Sequence, residues 1–236
     1  MLNWFENLSF LQFLAILSAA NVLMYLCSWG TVFLIQRFAT QTLNQHAARV
    51  TANDYWLSIA IVVINILVGI PGWWLWKQGI ISLVEKPILS TVLDLVLIFL
   101  YFDFSMYVLH RLMHIGWLYR YFHSRHHDHV DVNGISLYLM NPLEALGFAG
   151  FLILFLAIRP YSFHALMIYL FINWLYGTMG HSGITIRNQV LAWCVGDTEF
   201  HHVHHSQLVG NYGFYSGLWD RIFRTHVSSD SRHDSV

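Results

Sequence analysis

No charged side chain occurs between residues 10 and 36, and none between 55 and 76. Crossing the hydrocarbon core of a bilayer takes about 20 mostly apolar residues. Inside lipid, a helix is the simplest way for one segment to satisfy all of its own backbone polar groups. Two uninterrupted runs of this length therefore predict membrane-spanning helices. A third run, 88–109, is interrupted by Asp94 and Asp103, with Asp94 read as a polar helix-packing residue. Two shorter runs, 143–158 and 161–178, are separated only by Arg159-Pro160 and predict a tight helical hairpin that need not cross completely.

The composition agrees. Hydrophobic residues make up 56% of the 236 and charged residues 11%, against roughly 25% charged in an ordinary soluble domain. That balance excludes a disordered chain and a secreted disulfide scaffold. The formal net charge is -1, without the basic excess of a nucleic-acid binder, so no nucleic acid is expected as a partner. Cys27 and Cys194 define neither a disulfide framework nor a thiolate metal site. Cys27 lies in an apolar run and is expected to pack as a small hydrophobe. The opening MLNWFENLSF lacks a basic segment and a small-residue cleavage site, and reads as a retained membrane segment rather than a signal peptide.

Basic residues set the expected orientation. With five spans, Lys77, Lys86 and Arg159 fall on one side. Arg37, Arg49, Arg111, Arg120, Arg125, Arg187, Arg221, Arg224 and Arg232 fall on the other. The positive-inside rule puts the larger set in the cytoplasm. A hairpin that only dips into the bilayer returns the chain to the same face. Trp73, Trp74 and Trp76 beside Lys77 suit the opposite interface, where aromatic rings sit at headgroup level.

Histidine is the residue type out of proportion: 15 copies, more than Lys plus Arg or Asp plus Glu. Nine are patterned, and in this topology all nine lie on the cytoplasmic side. His110 and His114 are an i, i+4 pair, which stacks two imidazoles on one helix face. His123, His126 and His127 repeat the spacing as i, i+3, i+4, and His201, His204 and His205 repeat it again, with His181 between them. Neighbouring residues on a helix point about 100° apart, so one ion can hardly take both members of an adjacent pair. Two ions with the adjacent histidines divided between them fit the pattern, and nine nitrogens are too many for one four-coordinate site.

A lone histidine on an apolar helix is ordinarily a hydrogen-bonded packing residue, and that reading stands for His46, His129, His164, His226 and His233. Two H-x-x-H-H segments plus an H-x-x-x-H pair beside membrane spans are more specific, because ionisable groups at membrane depth are costly and tend to be functional. His202 forms its own i, i+3 pair with His205 and is a possible alternative ligand to His201. Asp103 stands two turns before His110 on the same face. There it could orient a ligand imidazole or serve as partner to a buried Tyr or Asn.

These motifs resemble the membrane fatty acid hydroxylase / sterol desaturase superfamily. Asp103, Tyr107, His110 and His114 match its first histidine box, and His123 to His127 its second. His181 within Gly180-His181-Ser182-Gly183 matches its isolated histidine. His201 to His205, followed by Asn211-Tyr212-Gly213 and Trp219-Asp220-Arg221-Ile222-Phe223, match its terminal block. The match runs over about residues 93–225. Arg224 stands where the family usually has Gly, and Asn141-Pro142 where a His-Pro is common; neither change removes a proposed ligand.

The resemblance implies an all-α polytopic membrane bundle of four or five transmembrane or re-entrant helices with a cytoplasmic histidine-rich metal-binding cap. Residues 1–86 would supply N-terminal transmembrane helices, 87–226 a fatty acid hydroxylase-like catalytic domain, and 227–236 a polar tail. It also implies two iron ions, with zinc as a possible occupant and O2 as co-substrate. The reaction implied is hydroxylation or desaturation of a lipid: a sterol, a fatty acyl or sphingoid chain, or, as the alternative, a carotenoid ring.

An all-imidazole set favours Fe, Zn or Cu over Mg or Ca. No H-E-x-x-H appears, as a zinc hydrolase of that kind would require, so a non-redox zinc membrane enzyme ranks below the oxygenase. A metal transporter or other metal-binding protein ranks lower still, because transport sites lie near the bilayer midplane. No nucleotide fingerprint, iron–sulfur spacing or haem-attachment motif is present. Electrons must then come from a separate donor, a reductase with cytochrome or ferredoxin as carrier. Arg111, Arg120 and Arg125 offer a docking surface for it, or an anchor to anionic headgroups.

Overall fold

The structure, a computed structural model, describes residues 2–44, 50–186, 188, 190 and 198–227. Arg49, Arg187, Arg232, Cys194, His46 and His233 lie outside the described residues, as does all but the first residue of the tail 227–236.

Ser9 opens the first long helix with a reciprocal cap: its hydroxyl accepts from Gln12 N, and Gln12 Oε1 accepts from Ser9 N. Helix α1 (Leu2–Glu6) precedes it, and α2 runs Phe10–Phe38. Thr51 and Asp54 repeat the device at the start of α3 (Ala52–Lys77). A short strand, β1 (Leu83–Val84), leads to α4 (Ile88–Met113), which starts straight after Pro87. At 29, 26 and 26 residues, α2, α3 and α4 are long and apolar enough to cross a membrane. Their outward residues, among them Leu11, Leu23, Phe33, Trp56, Leu67, Leu93 and Leu97, are exposed in the isolated chain, as a lipid-facing surface requires. Cys27 belongs to this exposed surface. It does not pack in the interior as expected, because the apolar run around it faces outward on α2.

The hairpin consists of α6 (Pro142–Leu156) and α7 (Phe163–Gly180), with β2 (Tyr161–Ser162) between them. Helix α6 packs on α3, α7 on α4, and α2 on both α3 and α7. The fifteen residues of α6 extend about 22 Å, short of the roughly 30 Å hydrocarbon thickness. Ile98 and Phe102 of α4 meet Phe155, Leu156, Leu166 and Tyr169 of the hairpin in the main core. A smaller cluster joins Ile61 and Val62 of α3 to Tyr138 and Ala145.

The bundle has two chemically different ends. At one, β1 pairs in parallel with β2 (Leu83 with Tyr161, Val84 with Ser162). Buried Asp94 there accepts from Arg159 at 2.6 Å and from Ser162 N at 2.6 Å, and pairs with Lys86 at 2.8 Å. Asp94 thus joins α4 to the hairpin turn, in keeping with its reading as a packing residue. The other end carries α5 (Gly116–Leu118), a π-helical turn (Tyr119–His123), two short 3-10 turns (His126–Asp128 and Ser136–Tyr138), α8 (Thr198–Gln207) and α9 (Leu218–Ile222). Every patterned histidine lies here.

Candidate metal centre

The last turn of α4 carries His110, and His114 caps its C-terminus. The chain then reverses at Gly116, whose φ of 41° needs a residue without Cβ. The π-helical turn follows, and it ends on His123. The 3-10 turn carries His126 and His127, His181 caps the C-terminus of α7, and α8 supplies His201, His204 and His205. The second histidine segment is therefore not a continuous α-helix, but two tighter and looser turns still divide its neighbours.

The nine histidines sort into two groups. His110, His114, His123, His127 and His204 form one, and His126, His181, His201 and His205 the other. Within each group, one ring nitrogen per residue lies within 4.8 Å of all the others. Both adjacent pairs are split, with His126 and His127 rings crossing at 79° and His204 and His205 at 90°. Nε2 of His123 and His127 are 3.1 Å apart, those of His201 and His205 3.1 Å, and those of His181 and His201 3.2 Å.

The outward nitrogens are held. Nδ1 of His110 faces Tyr212 O at 2.9 Å, that of His204 faces Gly210 O at 2.7 Å, that of His181 faces Gly177 O at 2.9 Å, and that of His126 faces Leu139 O at 3.3 Å. Nδ1 of His123 faces Glu144 Oε1 at 3.0 Å. A ring whose Nδ1–H donates outward presents its Nε2 lone pair inward, the tautomer a metal ligand needs. Nε2 of His110, His114 and His204 are buried with no hydrogen-bond partner, as are Nδ1 of His127 and His205.

Burial first, and for several rings the neighbouring imidazoles second, disfavour protonation. His114, His123 and His181 are pushed down to about 4 and His126 to about 3, with His127, His201, His204 and His205 also lowered. These imidazoles are neutral at pH 7. Neutral ring nitrogens gathered in two clusters, three of them orphaned Nε2 atoms in the five-histidine group and the others facing one another without a carboxylate or cation between them, fit borderline transition-metal ions.

Asp103 does not reach a histidine. Its carboxylate accepts from Ser216 N at 3.1 Å and Ser216 Oγ at 2.6 Å, because the segment after α8 folds back over that face of α4. Among the described residues, the carboxylate that does touch a clustered imidazole is Glu144, which sequence reasoning passed over. The signal was available: Glu144 is an ionisable residue inside the fourth apolar run. Asp220, fully buried, is the other omission. It accepts from Tyr212 N at 2.9 Å, Gly213 N at 2.7 Å and Thr225 Oγ1 at 2.7 Å, and so aims the Tyr212 carbonyl at His110. His202 is buried but belongs to neither group, whereas His201 does. His129 lies 3.5 Å from Asp54, His164 beside Phe163 at the far end, and His226 beside Phe200. Arg125 pairs with buried Asp54 and with Asp128, tying the second histidine segment to the start of α3.

Comparison with known proteins matches residues 95–225 to the family described as fatty acid hydroxylase. A cholesterol 25-hydroxylase-like protein of Danio rerio is 29% identical over 210 residues, covering 82% of this chain and 79% of the relative. Methylsterol monooxygenase 1 of Gallus gallus is 35% identical over 124 residues, covering 50% of this chain and 41% of the relative. A Delta(7)-sterol 5(6)-desaturase of Eremothecium gossypii is 28% identical over 142 residues, 58% of this chain and 38% of the relative. No solved structure matches the chain.

Proposed function

Because the chain belongs to the fatty acid hydroxylase family, we propose that it is a di-iron oxygenase of the membrane that hydroxylates or desaturates a sterol with O2 and external electrons. It is an integral membrane oxidoreductase acting on lipids. The observation that carries the finer reading is the division of nine buried or half-buried histidines into two adjoining groups that split both adjacent pairs. Bound there, two iron ions supply the oxidising power to remove hydrogen from an unactivated C–H bond, with O2 as the source of that power.

The chain's own residues do the rest. His110, His114, His123, His127 and His204 hold one ion, and His126, His181, His201 and His205 the other. The carbonyls of Tyr212, Gly210, Leu139 and Gly177 lock ring orientation, and burial of the rings keeps bulk water away. The lipid-facing surfaces of α2, α3 and α4 admit an apolar substrate from the bilayer rather than from water. The descriptions of all three relatives named above refer to cholesterol or another sterol, which favours a sterol over fatty acyl, sphingoid or carotenoid substrates. Electrons come from a separate reductase with a cytochrome or ferredoxin carrier, and the histidine end faces the cytoplasm, where that carrier would dock.

The test is direct. Purified protein should contain iron at two ions per chain and consume O2 when reduced. Sterol extracts from cells expressing it should contain an oxidised product that disappears with His126→Ala. A protein fully active with zinc alone and without O2 would refute the oxygenase.

A further inference from the structure

Glu144 is the one acidic side chain hydrogen-bonded to the histidine clusters among the described residues; it bonds a member of the five-histidine group, and its charge reaches His126 of the other only through space. Its Oε1 meets His123 Nδ1 at 3.0 Å, the side chain is 4% exposed, and Oε2 is buried with no hydrogen-bond partner. The other oriented imidazoles lean on neutral backbone carbonyls.

An acidic residue in the first turn of a helix is ordinary, and the Asn141 N–H acts on the Glu144 carboxylate, but Glu144 is not the residue whose side chain caps α6. Asn141 does that, its Oδ1 accepting from Leu143 N at 2.9 Å while its Nδ2 donates to Tyr121 O at 3.0 Å. The second of these bonds ties α6 to the π-helical turn and so fixes Glu144 against His123. A carboxyl this deeply buried, with one oxygen unpartnered, stays fully ionised only when positive charge sits close by. No Lys or Arg pairs with it among the described residues; its side-chain partner is the neutral ring of His123.

Resting on the two-ion reading above, we infer that Glu144 is a positioning residue that makes the two metal sites unequal. Through His123 it lends negative charge to the five-histidine site and makes that site the tighter of the two. A carboxylate behind a ligand imidazole raises the basicity of the ring, and losing such a partner typically costs about 10- to 100-fold in metal affinity. Among the described residues no carboxylate is hydrogen-bonded to a ring of the four-histidine site, which feels Glu144 only through space at His126.

The test uses the full chain in detergent, stripped of metal and titrated with Zn(II) against a competing chelator, with Co(II) absorption as a second readout. Wild type should take up two ions, the tighter one about 10- to 100-fold tighter than in Glu144→Gln. The Gln variant keeps the hydrogen-bond acceptor and loses the charge, so its metal-free form should melt no lower than metal-free wild type. A merely structural contact would instead lower the melting point and leave both affinities alone, and that result would overturn the inference. If the Gln variant does not fold, Glu144→Asp, which keeps the charge but withdraws it by one methylene, should weaken the same ion by a smaller factor; an unchanged affinity overturns the inference. Two equally tight ions in both wild type and variant would defeat this inference alone. A wild-type chain that binds no metal would defeat the proposed function with it.

Discussion

Each imidazole at the centre is specified twice, once by the nitrogen that faces inward and once by the partner of the nitrogen that faces outward. The first specification is written in sequence spacing, since i, i+3, i+4 patterns survive whatever the chain does elsewhere. The second is tertiary: the carbonyl of Tyr212 reaches His110 across 102 positions, and no local pattern announces it. The same division explains Asp103. Its place two turns before His110 is local and correct, but the partner that took it, Ser216, arrives from 113 positions away. His201 completes an i, i+3, i+4 pattern and His202 only an i, i+3 pair, and which of them enters the cluster is decided by which way α8 is rotated. Replacing His201 by Ala should therefore remove one bound ion, whereas His202→Ala should keep both, with metal analysis of the purified variants as the measurement. Asp220 works one step further out. Asp220→Ala removes three hydrogen bonds to a buried carboxylate and should cost about 2–4 kcal/mol of stability. It should also loosen the ion held by His110, through the Tyr212 carbonyl. A thermal melt and a metal titration on the same sample would read both effects.

Between elements, the coupling that matters most joins α3 to the second histidine segment. Asp54 closes the capping box of α3 by accepting from Thr51 N, and is the buried partner of Arg125, which sits between His123 and His126. Arg125→Met should leave the Asp54 carboxylate with Thr51 and His129 only. Because Arg125 is about two-fifths exposed, solvent screening discounts the loss to about 1–3 kcal/mol. The double variant Asp54→Asn/Arg125→Met should recover part of that, since it removes the stranded charge as well; denaturant melts of wild type, the two single variants and the double variant would close the cycle. A further constraint on this side is Gly134, where a Cβ would lie 2.7 Å from the Trp29 backbone, so the loop before Ser136 lies directly on α2. The long helices were legible because length and absence of charge are sufficient to specify them. The π-helical turn and the β1–β2 pair were not. The pair is two residues long, and its strands are 78 positions apart, so neither carries a periodicity to detect.

At the scale of the whole molecule, the asymmetry between the two ends argues for one orientation in the bilayer. The far end holds Lys77, whose ammonium lies 5.6 Å and 5.4 Å from the rings of Trp73 and Trp76, and Lys86 and Arg159, which are spent on Asp94. Its charges are thus neutralised locally or laid over interfacial aromatics. The histidine end carries the arginine excess, with Arg111, Arg120, Arg221 and Arg224 among its described residues. Basic residues next to short loops resist translocation, so they determine which face remains inside. On the proposed function the same face would receive electrons from a carrier, and a metal centre at this end would lie within reach of one without a path through the bilayer. The prediction concerns sealed vesicles of known sidedness. A protease site appended after Val236 should be cut only when the cytoplasmic face is outward. A cysteine at exposed Gln78, in a chain with Cys27 and Cys194 replaced by Ser, should label from the opposite side under a membrane-impermeant maleimide. Labelling of both positions from one side would require an even number of crossings between them and would refute the five-segment layout. Exchange of the two sides would keep the bundle and reverse its orientation, leaving the histidine centre beyond the reach of a cytoplasmic donor.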